Sequence, residues 1–260
     1  MERLKRIRCF LLDMDGTIYL AGRVFPETVP FLDMLTDRSI RYLFLTNNSS
    51  LSAGDYRKKL KKMSIPVSSD GVFTSGDATA VYLKKQGVSR VYLLGTGSLR
   101  RDFRRCGIAH TEKDPEAVVL GFDLTLTYAK LKKANDLICS GVPFYATHPD
   151  LVCPFHPHPL PDAGAMAKLL EASSGKTPTV IGKPYAPMAD ALIERYGLSR
   201  GEIAMVGDRL YTDIRFGTLN GFASILVLSG ETTRAMADAG DIRPDYIFDD
   251  IGALGKAIAT

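Results

Sequence analysis

The chain is poor in the features that mark specialised protein classes. Its four cysteines, Cys9, Cys106, Cys139 and Cys153, form no paired motif. That excludes a disulfide framework and fits free thiols in a reducing compartment. No apolar run approaches the length of a membrane span, so no membrane partner is expected. The opening MERLKRIRCFLLDMDG sets a basic stretch before an apolar one, but the apolar part ends at Leu12, where Asp13 interrupts it. A signal-peptide core needs a longer run, and a cytoplasmic location is expected. The formal net charge of +4 is small for 260 residues and leaves no footprint for nucleic acid, while favouring small anionic ligands. There is no fixed-period repeat. What remains, 45% hydrophobic and 24% charged residues, is enough to build one large domain or two medium ones.

Apolar runs alternate with amphipathic stretches: CFLL, VPFLDML, YLFLTNN, AGDYRKKLKKM, GVFTS, DATAVYLKKQG. This order predicts an α/β fold with a parallel sheet covered by helices. The pattern restarts at SRVYLLGTG, passes a Pro/His-rich stretch at CPFHPHPLPDAGA, and returns to DALIERYGL, EIAMVGD and ASILVLSG. The expected division is a discontinuous core of residues 1–84 and 180–260, with an α/β insertion over 85–179.

Polar clusters follow four predicted strands. Asp13 and Asp15 come after the buried-strand run CFLL and before Gly16. An unpaired ionised carboxylate is costly at such a place, so either a cation and ligand compensate it or the two residues merely cap a turn. Thr46, Asn47, Asn48 and Ser49 follow YLFL, Lys183 lies in VIGKPY, and Asp208 and Asp213 lie in IAMVGDRLYTDI. Open parallel sheets bind ligands beyond the carboxyl ends of their strands, so four such clusters can converge on one site. Taken singly, each is as well explained as a turn or a solvated residue, and Asp213 equally as the N-cap of IRFGTLNG.

In this order, DMDGT, LTNN, GKP and GDRLYTD resemble the signature of the haloacid dehalogenase-like hydrolase superfamily: DxDGT, a Ser/Thr ending a strand, a Lys, and an acidic GDxxxTD. GFD, ATHPD and AGA in the insertion are similar to its NagD and para-nitrophenylphosphatase-like branch, in which an α/β cap interrupts a Rossmann-like core. The resemblance implies a Mg²⁺-dependent phosphomonoesterase acting on a small phosphorylated metabolite, with a homodimer as the assembly. It implies Asp13 as nucleophile and Asp15 as the acid that protonates the leaving alcohol and then activates water. Thr46, Asn47, Asn48 and Lys183 would bind the phosphoryl group. The metal would be held by Asp13, the backbone carbonyl of Asp15 and Asp208, with Asp213 supporting it. A carboxylate is ionised at neutral pH and needs no base to attack, only relief from anion–anion repulsion. Two alternatives stay open: a phosphotransferase or mutase of the same superfamily, and a non-catalytic binder of a phosphorylated metabolite. Only 32 residues separate Asp13 from Thr46, too few for the cap that mutases carry there.

Other signals are weaker. GKT at 175–177 lacks the earlier glycine of a phosphate loop, which would be Leu170, and GTGSLR has Arg100 where a dinucleotide fingerprint has its third glycine. Lys58, Lys59, Lys61 and Lys62, and likewise Arg100, Arg101, Arg104 and Arg105, are expected to be solvated helix faces. His148, Cys153, His156 and His158 are zinc-ligand types, but their spacing matches no standard finger. His148 and His156 are candidates to meet the anionic substrate from the insertion, the alternative being an ordinary surface loop.

Overall fold

A computed structural model describes residues 2–155 and 157–259. Eleven strands, counted here in chain order, form two main sheets. They are β1 (Cys9–Leu12), β2 (Arg41–Thr46), β3 (Val72–Thr74), β4 (Arg90–Leu94), β5 (Ala109–His110), β6 (Ala117–Leu120), β7 (Phe144–Ala146), β8 (Thr179–Val180), β9 (Ile203–Gly207), β10 (Ala223–Val227) and β11 (Tyr246–Phe248). The first sheet has the order β11-β10-β9-β1-β2-β3 and the second β8-β7-β6-β4-β5. Parallel pairing flanks β1 on both sides, with Cys9 opposite Ile203 and Arg41. The α/β expectation holds, and the reason is legible in β1. Its four residues are all fully buried, as a strand covered by helices on both faces requires.

The chain divides into two units: residues 1–46, 56–73 and 184–260, which carry the first sheet, and residues 47–55 and 74–183, which carry the second. Within the second unit the strand side chains alternate between two cores. Val91, Leu93, Ala117 and Val119 pack with Leu83, Leu99 and Phe103, whereas Tyr92, Leu94, Val118 and Leu120 pack with Ala134, Ile138 and Leu170. The span 85–179 lies inside this unit, which additionally takes residues 47–55, 74–84 and 180–183 from the expected core. Residues 47–55 belong there through hydrogen bonds no sequence pattern announces. The Phe122 N–H donates to Ser49 Oγ at 2.8 Å, Ser49 Oγ meets Thr147 Oγ1 at 3.0 Å, and Thr96 Oγ1 donates to the Ser50 carbonyl at 2.7 Å. Thr74 opens the longer segment as the N-cap of helix Ser75–Lys85, in a reciprocal capping box with Asp77.

None of the four cysteines is in a disulfide. No helix among the described residues is long and apolar enough to cross a membrane.

Candidate active site

In the first unit, β1 and β9 run side by side and deliver carboxylates from their carboxyl ends. Asp13 leaves β1 with its N–H donating to the Val206 carbonyl at 2.9 Å. Asp208 follows β9, and Asp213 lies in the wide π-helical turn Leu210–Ile214. Oxygens of Asp13, Asp208 and Asp213 all lie within 4.8 Å of one another. Asp208 and Asp213 are buried and Asp13 half-buried. Asp213 does not cap the following helix: Ile214 stands at that N-cap, and Asp213 Oδ2 instead accepts the Arg209 N–H at 3.3 Å.

Asp208 shows what this cluster needs. Its Oδ2 accepts the Glu231 N–H at 2.7 Å, while its Oδ1, although buried, has no hydrogen-bond partner. Burial first, then the charges of Asp13 and Asp213, push its carboxyl up to about 8. The walls are drawn in closely. A Cβ on Gly16 or Gly230 would overlap the Asp208 carboxyl group, and one on Gly207 would overlap that of Asp213. Gly16 also has φ +87°, a conformation open to glycine. Three converging carboxyl groups with an orphaned buried oxygen fit a hard divalent cation, whose preferred donors are carboxylate oxygens.

Asp15 lies on the exposed side of the turn from Met14 to Tyr19, where the Gly16 N–H donates to the Tyr19 carbonyl at 2.8 Å. The protein around its carboxyl group raises its pKa and Asp13 adds to the rise, while Lys59 and Arg209 oppose it. A raised pKa favours the protonated form that a general acid needs. Lys59 and Arg209 are residues the sequence reading did not assign to the site. Lys59 donates to Tyr19 Oη at 3.0 Å and lies 4.6 Å from the centre of its ring, and Arg209 pairs with Glu231 at 3.0 Å. The LYTDI spacing hid Arg209 among variable positions, and the run of lysines made Lys59 look like its solvated neighbours.

Thr46 ends β2, buried. In the second unit, Asn47 and Lys183 are both buried and joined by their amides. Asn47 Oδ1 accepts the Lys183 N–H at 2.8 Å, and Asn47 Nδ2 donates to the Lys183 carbonyl at 3.0 Å. The same Nδ2 faces both oxygens of Asp150, at 3.1 and 3.3 Å. Asn48 uses its carbonyl oxygen in a local turn, accepting from Ser50 N–H at 2.9 Å and Ser50 Oγ at 2.7 Å.

The expectation for His148 needs correction. It is fully buried, with Nδ1 2.9 Å from Thr147 Oγ1 and Nε2 2.9 Å from Asp162 Oδ1, so neither ring nitrogen is available to a substrate. The ATHPD pattern could not show this because the residue that holds the imidazole stands 14 positions further on. Asp162 also accepts the Ala163 N–H at 2.6 Å and caps helix Ala163–Ser174. Burial opposes a charge on His148, but Asp162 and then Asp150 outweigh it and raise its pKa. His156 lies outside the described residues. His158 is exposed and Cys153 half-buried, with the Asn48 Nδ2 donating to Cys153 Sγ at 3.7 Å. Among the described residues no metal-competent cluster includes Cys153 or His158.

Comparison with known proteins bears on the whole chain. Residues 10–109 match the haloacid dehalogenase-like hydrolase family, and residues 180–254 match a HAD-hydrolase-like family. An acid sugar phosphatase of Staphylococcus haemolyticus is 34% identical over 252 residues, covering 95% of each chain. The structure is similar to that of a 4-nitrophenylphosphatase from Thermotoga maritima, with a TM-score of 0.95 and 46% identity over 98% of this chain and 99% of the other. It is also similar to a glycerol phosphate phosphatase from Mycobacterium tuberculosis in complex with calcium, at TM-score 0.89 and 29% identity, covering 97% of this chain and 76% of the other.

Proposed function

The chain belongs to the haloacid dehalogenase-like hydrolases and is a phosphomonoesterase, and from that premise we propose that it hydrolyses small sugar- or polyol-type phosphate monoesters with Mg²⁺, through an aspartyl-phosphate on Asp13. The observation that carries this reading is the unpartnered buried oxygen of Asp208 beside Asp13 and Asp213. A protein that only bound a metabolite would have no need to crowd three carboxyl groups, two of them buried, against one another.

Asp13, Asp208 and the backbone carbonyl of Asp15 would hold the ion, with Asp213 supporting them. When bound, Mg²⁺ would neutralise the carboxylates and lessen the repulsion between an anionic nucleophile and an anionic phosphoryl group. Asp13 attacks phosphorus as a ready-made carboxylate. Asp15, its pKa raised by burial, gives its proton to the leaving alcohol oxygen and takes one from the water that cleaves the acyl phosphate. Thr46, the backbone N–H groups of Asn47 and Asn48, and the Lys183 ammonium bind the phosphoryl oxygens. The first unit supplies the nucleophile and the second acts as the cap that chooses among leaving groups. The unbridged cysteines accord with a reducing, cytoplasmic setting.

The test is phosphate release from 4-nitrophenyl phosphate and a panel of small sugar and polyol phosphates. Turnover should vanish on chelation and return with Mg²⁺. Undiminished turnover after exhaustive chelation would overturn the proposal.

A further inference from the structure

Lys183 is buried, although an ammonium on a four-carbon stem normally reaches for water. Its place is fixed through its backbone. Asn47 takes the Lys183 N–H on its carbonyl oxygen at 2.8 Å and gives an amide N–H to the Lys183 carbonyl at 3.0 Å. The approach is close enough to dictate the preceding residue. A Cβ on Gly182 would lie 2.7 Å from Asn47 Oδ1, 2.6 Å from the Thr147 carbonyl oxygen and 3.0 Å from His148 Cβ. The Gly182 N–H donates to that Thr147 carbonyl at 2.8 Å, so the strand running into Lys183 lies flat against Asn47 and the ATHPD segment.

Such a clamp works in one orientation of the Asn47 amide. Turned over, the amide would set its NH₂ against the Lys183 N–H and its oxygen against the Lys183 carbonyl, losing both bonds. Lys183 by itself cannot prevent disorder of the clamp, because each of its two bonds is neutral and individually modest. Asp150 supplies the missing constraint. Both of its oxygens face Asn47 Nδ2, and a carboxylate accepts hydrogen bonds without donating any, so it tolerates the nitrogen end and repels the oxygen end. Asp150 is held in turn: its backbone carbonyl accepts the Gly164 N–H at 2.8 Å, and a Cβ on Gly164 would overlap the Pro149 carbonyl group and lie 2.7 Å from the Asp150 carbonyl oxygen. The charged groups facing its side chain are His148, Asp162 and Lys183.

We propose that Asp150 is a positioning residue for the phosphatase reaction: by orienting the Asn47 amide it sets the backbone of Lys183, and through it the ammonium that binds the phosphoryl oxygens. This rests on the role given to Lys183 under the proposed function. Asp150 touches no reacting atom; it acts on Lys183 through the Asn47 amide and, as a charge facing the ammonium, directly.

The experiment is a double-mutant cycle on kcat/KM for 4-nitrophenyl phosphate with Mg²⁺, joined to hydrogen exchange of the peptide containing Lys183. Asp150→Ala should lower kcat/KM about tenfold, weaken inhibition by inorganic phosphate in parallel, and speed exchange at the Lys183 amide. Asp150→Asn, which offers Asn47 an NH₂ as well as a carbonyl oxygen and so no longer excludes the turned-over amide, should be impaired nearly as much as Asp150→Ala. Lys183→Ala should cost about a hundredfold or more, and adding Asp150→Ala to it should cost nothing further. Should Asp150→Ala melt below the assay temperature, Asp150→Ser takes its place in the cycle. A full additional tenfold loss in the double variant would show that Asp150 acts elsewhere, and an Asp150→Asn at the parent rate would remove the amide-orientation argument. Lys183→Ala at the parent rate would be a different failure, overturning the role of Lys183 and the inference with it.

Discussion

Each unit holds a trio of titratable groups that meets the same geometric description. Asp13, Asp208 and Asp213 in the first, and His148, Asp150 and Asp162 in the second, each bring one ligand atom within 4.8 Å of the others. Their chemistry is opposite. In the second unit the charges are of both signs and the hydrogen bonds close among themselves: His148 lies between Thr147 and Asp162, Asp162 also caps a helix, and Asp150 meets the Asn47 amide. In the first unit all three groups are acidic, and Asp208 keeps a buried oxygen with no partner. Distance alone therefore does not make a metal site. The unmet need for positive charge distinguishes the two, since a buried like-charged cluster is stable only when something outside the chain completes it.

The sharpest way to break this contrast is at Asp13. Asp13→Asn should reduce turnover by about 10⁴-fold or more, because an amide neither attacks phosphorus nor carries the charge a cation needs. Its melting temperature without metal should stay level or rise, since one of three crowded carboxyl groups loses its charge. Retained turnover would end the mechanism. The second unit should answer in the opposite currency, stability. Asp162→Ala leaves a fully buried imidazole without its partner and a helix without its cap, a loss of about 3–5 kcal/mol measurable by denaturant unfolding. The Mg²⁺ requirement of the folded fraction should be unaltered, and a changed requirement would mean that the second trio binds metal after all.

The smallest effect is a pH dependence. His148 has its pKa raised in the folded protein above the ordinary 6.5. The stabilisation it contributes is therefore complete below that value and is lost as pH rises through the folded-state pKa. Unfolding free energy should fall with a slope of up to about 1.4 kcal/mol per pH unit across that window. His148→Asn should flatten the slope there, and a slope unchanged by the substitution would assign it to another group.

Much of the first unit was readable before any coordinates. The run CFLL ending in DMDG placed a buried strand and its carboxylates, and β1 is buried at every position because a central parallel strand has no solvent face. Asp208 and Asp213 were legible through GDRLYTD for the same reason: a short motif immediately after a strand keeps its residues near one sheet end whatever else the chain does. The second unit resisted. His148 was read as facing a substrate, yet it is buried against Asp162, and Asn47 proved to be the clamp on a backbone 136 residues away.

The sequence by itself determined the α/β class, the order of the motifs and the residues at the ends of β1, β2 and β9, because alternating patterns and short local spacings are properties of neighbouring residues. Only the tertiary structure decided which polar groups are satisfied. It paired Asp150 with Asn47, gave Ser49 to Thr147 and Phe122, enclosed His148, and left one oxygen of Asp208 alone. Hydrogen-bond satisfaction depends on what arrives from distant segments at distances of a few ångströms, and no periodicity along the chain carries that information.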